Sequence, residues 1–200
     1  MAKLKFVYSV MNAGKSTHLL QLVHNYSVYG NKTLLLTSSL DTRSIKDGHY
    51  HIESRLGISA EAIPYGREDN IQTILDNVDY VPSCIVIDEA QFLSKMNIEQ
   101  ISDLVDYMGI PVVCYGLRTD AFGEFFEGSA ELFKCADKIE ELKQLCFCQS
   151  KATHIIRYDT DYKVIRNGDQ LAIGAEDMYL SVCRKHWKTL SSVKFLASSD

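Results

Sequence analysis

No secretory signal and no membrane span can be read at the start of this sequence. Met1-Ala2-Lys3 leads at once into LKFVYS (residues 4–9), a strand-like run far below the roughly 20 apolar residues a span requires and too short for a signal core. A Lys/Arg-rich stripe is also missing, and the net charge is −5. A nucleic-acid surface needs a positive field to displace counterions from phosphates. Internal repeats and low-complexity tracts are absent. The expectation is a soluble, cytoplasmic protein with no membrane or nucleic-acid partner, which leaves a small charged metabolite as a ligand class. What is present, 200 residues at 46% hydrophobic, suffices for one well-buried core and a small appended module.

The first two-thirds alternates apolar runs with amphipathic stretches. LKFVYS (4–9), KTLLLTS (32–38), CIVIDE (84–89) and PVVCYGL (111–117) are nearly continuous in apolar residues, the pattern of parallel strands covered on both faces. Helical spacing occupies 15–29 and 96–108, where Ile98, Ile101, Leu104, Val105 and Met108 recur at threes and fours. Gly30 and Gly109 follow where helix C-termini favour glycine. This alternation predicts an α/β fold. After about residue 140 the character changes: KATHIIRYD and YKVIRNGDQLAI read as short strands around an Asn167-Gly168 turn. A domain boundary is placed near 138–142, giving units 1–140 and 141–190 and a frayed tail over 191–200.

Ser9 to Ser16 reads S-x-x-x-x-G-K-S, a phosphate-binding loop pattern whose first glycine is Ser9. A strand ends at Ser9 and a helix can begin near Lys15. Backbone N–H groups of the loop would surround phosphate oxygens, Lys15 would add positive charge, and the Ser16 hydroxyl would ligate Mg²⁺. Gly14 keeps the position where phosphate must approach without a Cβ. CIVIDEAQF supplies the partner motif, an apolar strand ending in Asp88-Glu89. Asp88 would hold Mg²⁺, and strand alternation would send Glu89 to the other face, toward another ligand. The ATP/Mg²⁺ set is therefore Ser9, Val10, Met11, Asn12, Ala13, Gly14, Lys15, Ser16, Asp88, Glu89, Ala90 and Gln91. A chance Gly-Lys-Ser at a helix start is the competing reading of the loop alone.

The six cysteines fall into two kinds. Cys84, Cys114 and Cys135 lie in or beside apolar runs, where a thiol packs as a small hydrophobe. Cys146 and Cys148 (LCFCQS) with Cys183 and His186 (SVCRKHW) form two short ligand pairs. Four such donors can close a tetrahedral, structural Zn²⁺ site at the base of a long loop. Buried cysteines beside an exposed histidine are the bland alternative, and a redox pair lacks its helix context.

With MNAGKST, LDTR (40–43), VIDEAQFL, PVVCYGLRTD, ELKQLCFC and YLSVCRKHW in this order, the chain resembles the zinc-containing, type II family of thymidine kinases, especially its bacterial and phage branch. The resemblance runs from about Lys3 to Trp187. It implies a P-loop NTPase-like (RecA-like) parallel sheet with a small zinc-binding, lasso-loop domain, and transfer of the γ-phosphoryl group of ATP to the 5′-hydroxyl of thymidine. In that branch Ser or Ala commonly stands at the first loop glycine. Glu89 matches the family's general base, and Arg43 and Asp41 a segment near the transferring phosphoryl group. Met11, Phe92, Leu117, Phe126 and Tyr179 match positions around thymine. The loop of Leu171, Ala172, Ile173 and Gly174 is expected to lie over the base and to bind it through backbone groups. The resemblance also implies a homotetramer and feedback by thymidine triphosphate.

Three departures stand out. DAFGE (120–124) replaces the D-F-R-G-E of bacterial relatives, so a pocket phenylalanine becomes Ala121 with Phe122 next along. Gln149 stands where many relatives have glycine, and the C-x-C pair is C-x-x-C in the wider family. Three other readings stay open on the residues: a kinase of another small acceptor, a nucleic-acid-dependent ATPase with a zinc ribbon, and an inactive zinc- and nucleotide-binding module.

Overall fold

The structure, a computed structural model, describes residues 1–170 and 178–195. In chain order its first strands are β1 (Leu4–Ser9), β2 (Thr33–Ser38), the arm strands β3 (Ile45–Lys46), β4 (His49–Glu53) and β5 (Ser59–Glu61), then β6 (Ile63–Tyr65), β7 (Cys84–Ile87), β8 (Val112–Leu117) and β9 (Lys138–Glu141). A six-stranded sheet runs β6-β2-β7-β8-β1-β9, every pair parallel. Helices α1 (Lys15–Val28), α2 (Ile71–Asp76), α3 (Lys95–Met108) and α4 (Glu127–Cys135) connect the strands.

Both faces of the sheet are covered, which is why the strands read as apolar runs rather than alternating ones. Phe6, Leu34, Leu36, Ile85 and Ile87 pack with Ile98, Ile101 and Leu104 of α3 on one face. Val7, Val86 and Tyr115 pack with Leu19 and Leu20 of α1 on the other. α3 starts at a reciprocal cap, Ser94 with Asn97, and stops at Gly109 in the left-handed region, φ 70°. Met108, read from sequence as part of the helix's apolar face, is instead 51% exposed, because it sits in the last turn as the helix leaves the sheet. β9 closes one edge with a charged strand, Lys138 to Glu141, and Glu140 pairs with Lys5 of β1 at 2.6 Å. Charge of this kind discourages edge-to-edge association.

The arm β3–β5 has no counterpart in the sequence reading. Its first turn is Asp47-Gly48, with φ 51° and 82°, a strong hairpin signal between Lys46 and His49.

Beyond the large sheet lie β10 (Gln144–Leu145), β11 (Lys151–Ala152), β12 (His154–Tyr158), β13 (Val164–Ile165), β14 (Tyr179–Val182) and α5 (Arg184–Thr189). They surround a separate core of Cys146, Ile155, Ile156, Val182 and Val193, into which Val10 also packs. A reversal precedes the expected Asn167-Gly168 turn, whose far side runs into 171–173, outside the described residues. β12 pairs with β13 across Tyr158 and Val164, and the Asp159 carboxylate fixes the turn by accepting from the Asp161 and Lys163 N–H groups. Nor does fraying begin at 191: Val193 is buried and donates to the Tyr162 carbonyl, and Ser191 accepts from the Val164 N–H. Among the described residues no helix is long and apolar enough to cross a membrane.

Candidate active site

The loops after β1, β2, β7 and β8 all emerge at the C-terminal edge of the parallel sheet, where open α/β sheets hold their ligands. They line a cleft of about 840 Å³. Met11 to Ser16, Asp41, Arg43, Asp88, Glu89, Gln91, Phe92, Leu117, Phe126 and Tyr179 all face it. Ser9, Val10 and Ala90 do not line it. Ser9 ends β1 with its Oγ donating to the Val10 carbonyl at 2.7 Å, Val10 packs in the C-terminal core, and Ala90 packs in the main core.

In the loop, positive φ falls on Asn12 (63°) and Gly14 (82°), not on Ser9. A side chain at position 9 is therefore under no backbone strain. Gly14 is the N-cap of α1 and provides no side-chain cap, so the first N–H groups of the helix are available to an anion. Lys15 follows. Desolvation lowers its pKa, opposed by Glu89 and Asp88.

β7 ends at Ile87, and the two acids part company in a way strand alternation does not describe. Asp88 is buried, whereas Glu89 takes up the left-handed region (φ 52°, ψ 34°) and opens a 3₁₀ turn, Ala90–Phe92. Such a conformation in a non-glycine residue costs about 1–3 kcal/mol and persists only when its surroundings impose it. Here they do. The Glu89 N–H donates to Asp88 Oδ1 at 2.9 Å, and the Tyr65 hydroxyl donates to the Glu89 carbonyl at 2.9 Å. Gln91 Nε2 donates to Glu89 Oε2, and Arg43 Nη2 reaches Glu89 Oε1 at 3.2 Å. Gln91, 1% exposed, is itself fixed, its Oε1 accepting the Leu117 N–H at 3.0 Å. Glycine at 116 lets that amide lie against β8, since a Cβ there would meet Gln91 Oε1 and N at 3.0 Å.

Burial, and after it the neighbouring Glu89, pushes the Asp88 carboxyl up to about 7, with Lys15 opposing. A carboxylate so desolvated is a natural cation ligand. Burial and then Glu89 likewise raise Tyr65, keeping its hydroxyl a donor. Arg43 grips Asp41 through Nε and Nη2, both at 2.7 Å. Burial pushes Asp41 up, but its hydrogen bonds and charge pairing with Arg43 outweigh that and hold it low. The same hydrogen bonding raises Arg43 despite burial.

The apolar end of the cleft is formed by Met11, Phe92, Leu117, Phe126 and Tyr179. Phe92 and Phe126 meet edge to face at 5.8 Å. Sequence reading missed Asp120 and Gln170, which line the same end. Gln170 Nε2 donates to Asp120 Oδ2 at 3.0 Å, while Asp120 Oδ1 caps the Phe122 and Glu124 N–H groups. Ala121 lines the cleft and also a neighbouring pocket with Phe122, Arg166, Trp187 and Lys188, whereas Phe122 lines only the latter. The phenylalanine beside Ala121 thus does not fill the space Ala121 leaves. Gly128 was also missed: a Cβ there would lie 2.4 Å from the Ala90 carbonyl oxygen, so only glycine lets α4 press against the turn carrying Gln91 and Phe92. Leu171, Ala172, Ile173 and Gly174 lie outside the described residues. Residues 51–57 of the arm form a further wall of the cleft.

Cys146, Cys148, Cys183 and His186 gather with donor atoms all within 4.8 Å of one another. Cys146 Sγ and Cys183 Sγ lie 3.3 and 3.4 Å from His186 Nδ1, and Cys148 Sγ lies 3.9 Å from Cys183 Sγ. These spacings match a tetrahedron around zinc, whose S···S and S···N edges are about 3.8 and 3.5 Å for ordinary bond lengths. The donor set fits a closed metal site. Phe147 stacks on His186 at 4.4 Å. In the turn between the first ligand pair and β11, Gln149 has φ 66°, a conformation glycine enters freely. Gln149→Gly is expected to stabilise the protein by about 1 kcal/mol, read as a rise in denaturation midpoint with zinc content unchanged; a loss of stability would count against this account.

The sequence profile of the family described as thymidine kinase matches residues 2–187. A thymidine kinase of Idiomarina loihiensis is 48% identical over 190 residues, covering 94% of this chain and 97% of that protein. One from Photorhabdus laumondii is 46% identical over 94% of this chain and 92% of its own length. One from Vibrio vulnificus is 47% identical over 94% and 97%.

Proposed function

The chain belongs to the thymidine kinase family, and from that premise we propose that it transfers the γ-phosphoryl group of ATP to the 5′-hydroxyl of thymidine, giving thymidine monophosphate and ADP. The observation that carries this reading is the position of Glu89. Its carboxylate stands in one cleft with Lys15 and Arg43 on the phosphate side and with Phe92, Leu117 and Phe126 on the apolar side.

The roles follow from charge and reach. The loop from Met11 to Ser16 and the start of α1 receive the triphosphate, and Lys15 balances its charge. Ser16 and Asp88 would hold Mg²⁺, which neutralises charge on the β- and γ-oxygens when bound. Glu89 accepts the 5′-hydroxyl proton as that oxygen bonds to the γ-phosphorus and the bond to the leaving ADP oxygen breaks. Arg43, its guanidinium held by Asp41, orients the Glu89 carboxylate and faces the transferring group. Thymine lies against Met11, Phe92, Leu117, Phe126 and Tyr179, and the family resemblance assigns Leu171, Ala172, Ile173 and Gly174, outside the described residues, to binding the base. Zn²⁺ on Cys146, Cys148, Cys183 and His186 anchors both ends of that segment's module.

We take 1–140 as the ATP-binding unit and 141–190 as the zinc- and thymidine-binding unit, to which Ser191 and Val193 also attach, with the tail beyond them outside both. Family membership supports feedback by thymidine triphosphate, assembly as a homotetramer and a cytoplasmic location. The test is phosphate transfer from Mg·ATP to a panel of nucleosides. Thymidine as the preferred acceptor is the expected result; ATP turnover with no nucleoside phosphorylated would leave the phosphate site and discard the kinase.

A further inference from the structure

We propose that the metal-centred C-terminal unit also acts on the nucleotide-binding loop, holding it through Ser181 and Gln144 in the shape that receives the triphosphate. Ser181 Oγ donates to the Met11 carbonyl at 2.7 Å, and Gln144 Nε2 donates to the Asn12 carbonyl, also at 2.7 Å. These are consecutive peptide carbonyls in the loop, reached from positions 170 and 132 residues away in the chain.

Their direction matters. A loop that offers its N–H groups to an anion must turn the carbonyls of the same peptides elsewhere. The left-handed Asn12 (φ 63°) produces that turn, and the two hydrogen bonds fix where the carbonyls go. Each donor also stands two residues before a metal ligand: Gln144 in β10 before Cys146, Ser181 in β14 before Cys183. The ligand cluster, with its donor atoms within 4.8 Å, therefore fixes the two donors relative to each other. Val10, immediately before the pair of carbonyls, is buried in the same core as Cys146 and Val182. The first half of the loop is built onto the metal unit, and only its second half onto α1. A polar anchor that is already set before the ligand arrives removes reorganisation from binding.

This rests on the reading of residues 9–16 as the triphosphate site. Ser181→Ala, Gln144→Ala and the double variant are to be titrated with Mg·ADP and a non-hydrolysable ATP analogue, and separately with thymidine, alongside zinc content and thermal midpoint. Each single substitution is expected to weaken nucleotide binding about three- to tenfold, as loss of one modest hydrogen bond does. The double variant should weaken it by about ten- to a hundredfold, with zinc retained and thymidine affinity within about twofold of wild type. Ser181→Thr, which keeps the hydroxyl, should restore binding. A zinc-loaded double variant that binds nucleotide like wild type overturns the proposal. So does a parallel loss of nucleotide affinity, thymidine affinity and thermal midpoint, which is the mark of general loosening. Lys15→Ala separates the two layers: undiminished nucleotide binding in that variant would remove the underlying site assignment itself.

Discussion

Glu89→Gln lowers kcat by about two to four orders of magnitude while affinity for Mg·ATP stays within about threefold of wild type, the range expected when a positioned general base is lost. The substitution keeps the shape of the side chain. Its amide oxygen can still accept from Arg43 or Gln91, so the left-handed turn at residue 89 loses little of its support. What disappears is the basic carboxylate that takes the 5′-hydroxyl proton, since an amide oxygen accepts a hydrogen bond but not the proton. Removing the charge also relieves Asp88, whose carboxyl is raised by burial and then by Glu89, so the metal-binding acid next to it becomes easier to ionise. Nucleotide affinity should not fall for electrostatic reasons. Steady-state kinetics beside binding of a non-hydrolysable ATP analogue settle the matter. Unchanged kcat would remove Glu89 from the chemistry, and collapse of ATP binding with kcat would make it a structural residue.

Withdrawal of zinc has the other large effect. Extraction by a chelator, or Cys146→Ser, is expected to release the metal, lower unfolding stability by roughly 3–5 kcal/mol and abolish thymidine phosphorylation. The apparent figure for small fingers that fold only on zinc is about 10–16 kcal/mol. This unit keeps an apolar core of its own around Ile155, Ile156 and Val182, so the loss should be smaller. Without the ion, three thiols and an imidazole are crowded within 4.8 Å with only weak contacts among them, and α5, which begins just after Cys183 and carries His186, is held less firmly. Zinc content and thermal midpoint measured together read this out. A zinc-free variant as stable as wild type would show the cluster to be four packed side chains.

What the sequence makes legible is what depends on local pattern. β1, β7 and β8 are legible because a strand buried on both faces must be apolar along its length, and α3 because Ile98, Ile101, Leu104 and Val105 repeat at the helical period. The clustering of Cys146, Cys148, Cys183 and His186 is legible because metal coordination would fix the spacing within each pair. Glu89 stands out in the sequence, but its geometry does not. A left-handed glutamate exists here because Tyr65, 24 residues away in sequence, holds its carbonyl, while Gln91 holds its carboxylate. Neither contact leaves a periodic trace. The reversal between β12 and β13 escapes a reading that looks for an Asn-Gly dipeptide, because it uses an Asp159 side chain to do what glycine does elsewhere. Phe122 cannot be assigned a side from sequence, since it lies in a turn capped by Asp120, where no strand alternation fixes its face. The Asp47-Gly48 hairpin is readable but easily overlooked beside strands as short as Ile45–Lys46.

The Gln91 amide, finally, ties the two halves of the reaction together mechanically. One end of it is fastened to Glu89 and the other to the backbone of Leu117, so in the proposed roles the floor under the nucleoside and the group that meets its hydroxyl would be parts of one lever. An acceptor that sits badly on Leu117 tilts that lever. Discrimination between nucleosides then appears mainly in how fast they are turned over, not in how tightly they are held, and a poor substrate of this enzyme can still be a good occupant of its site.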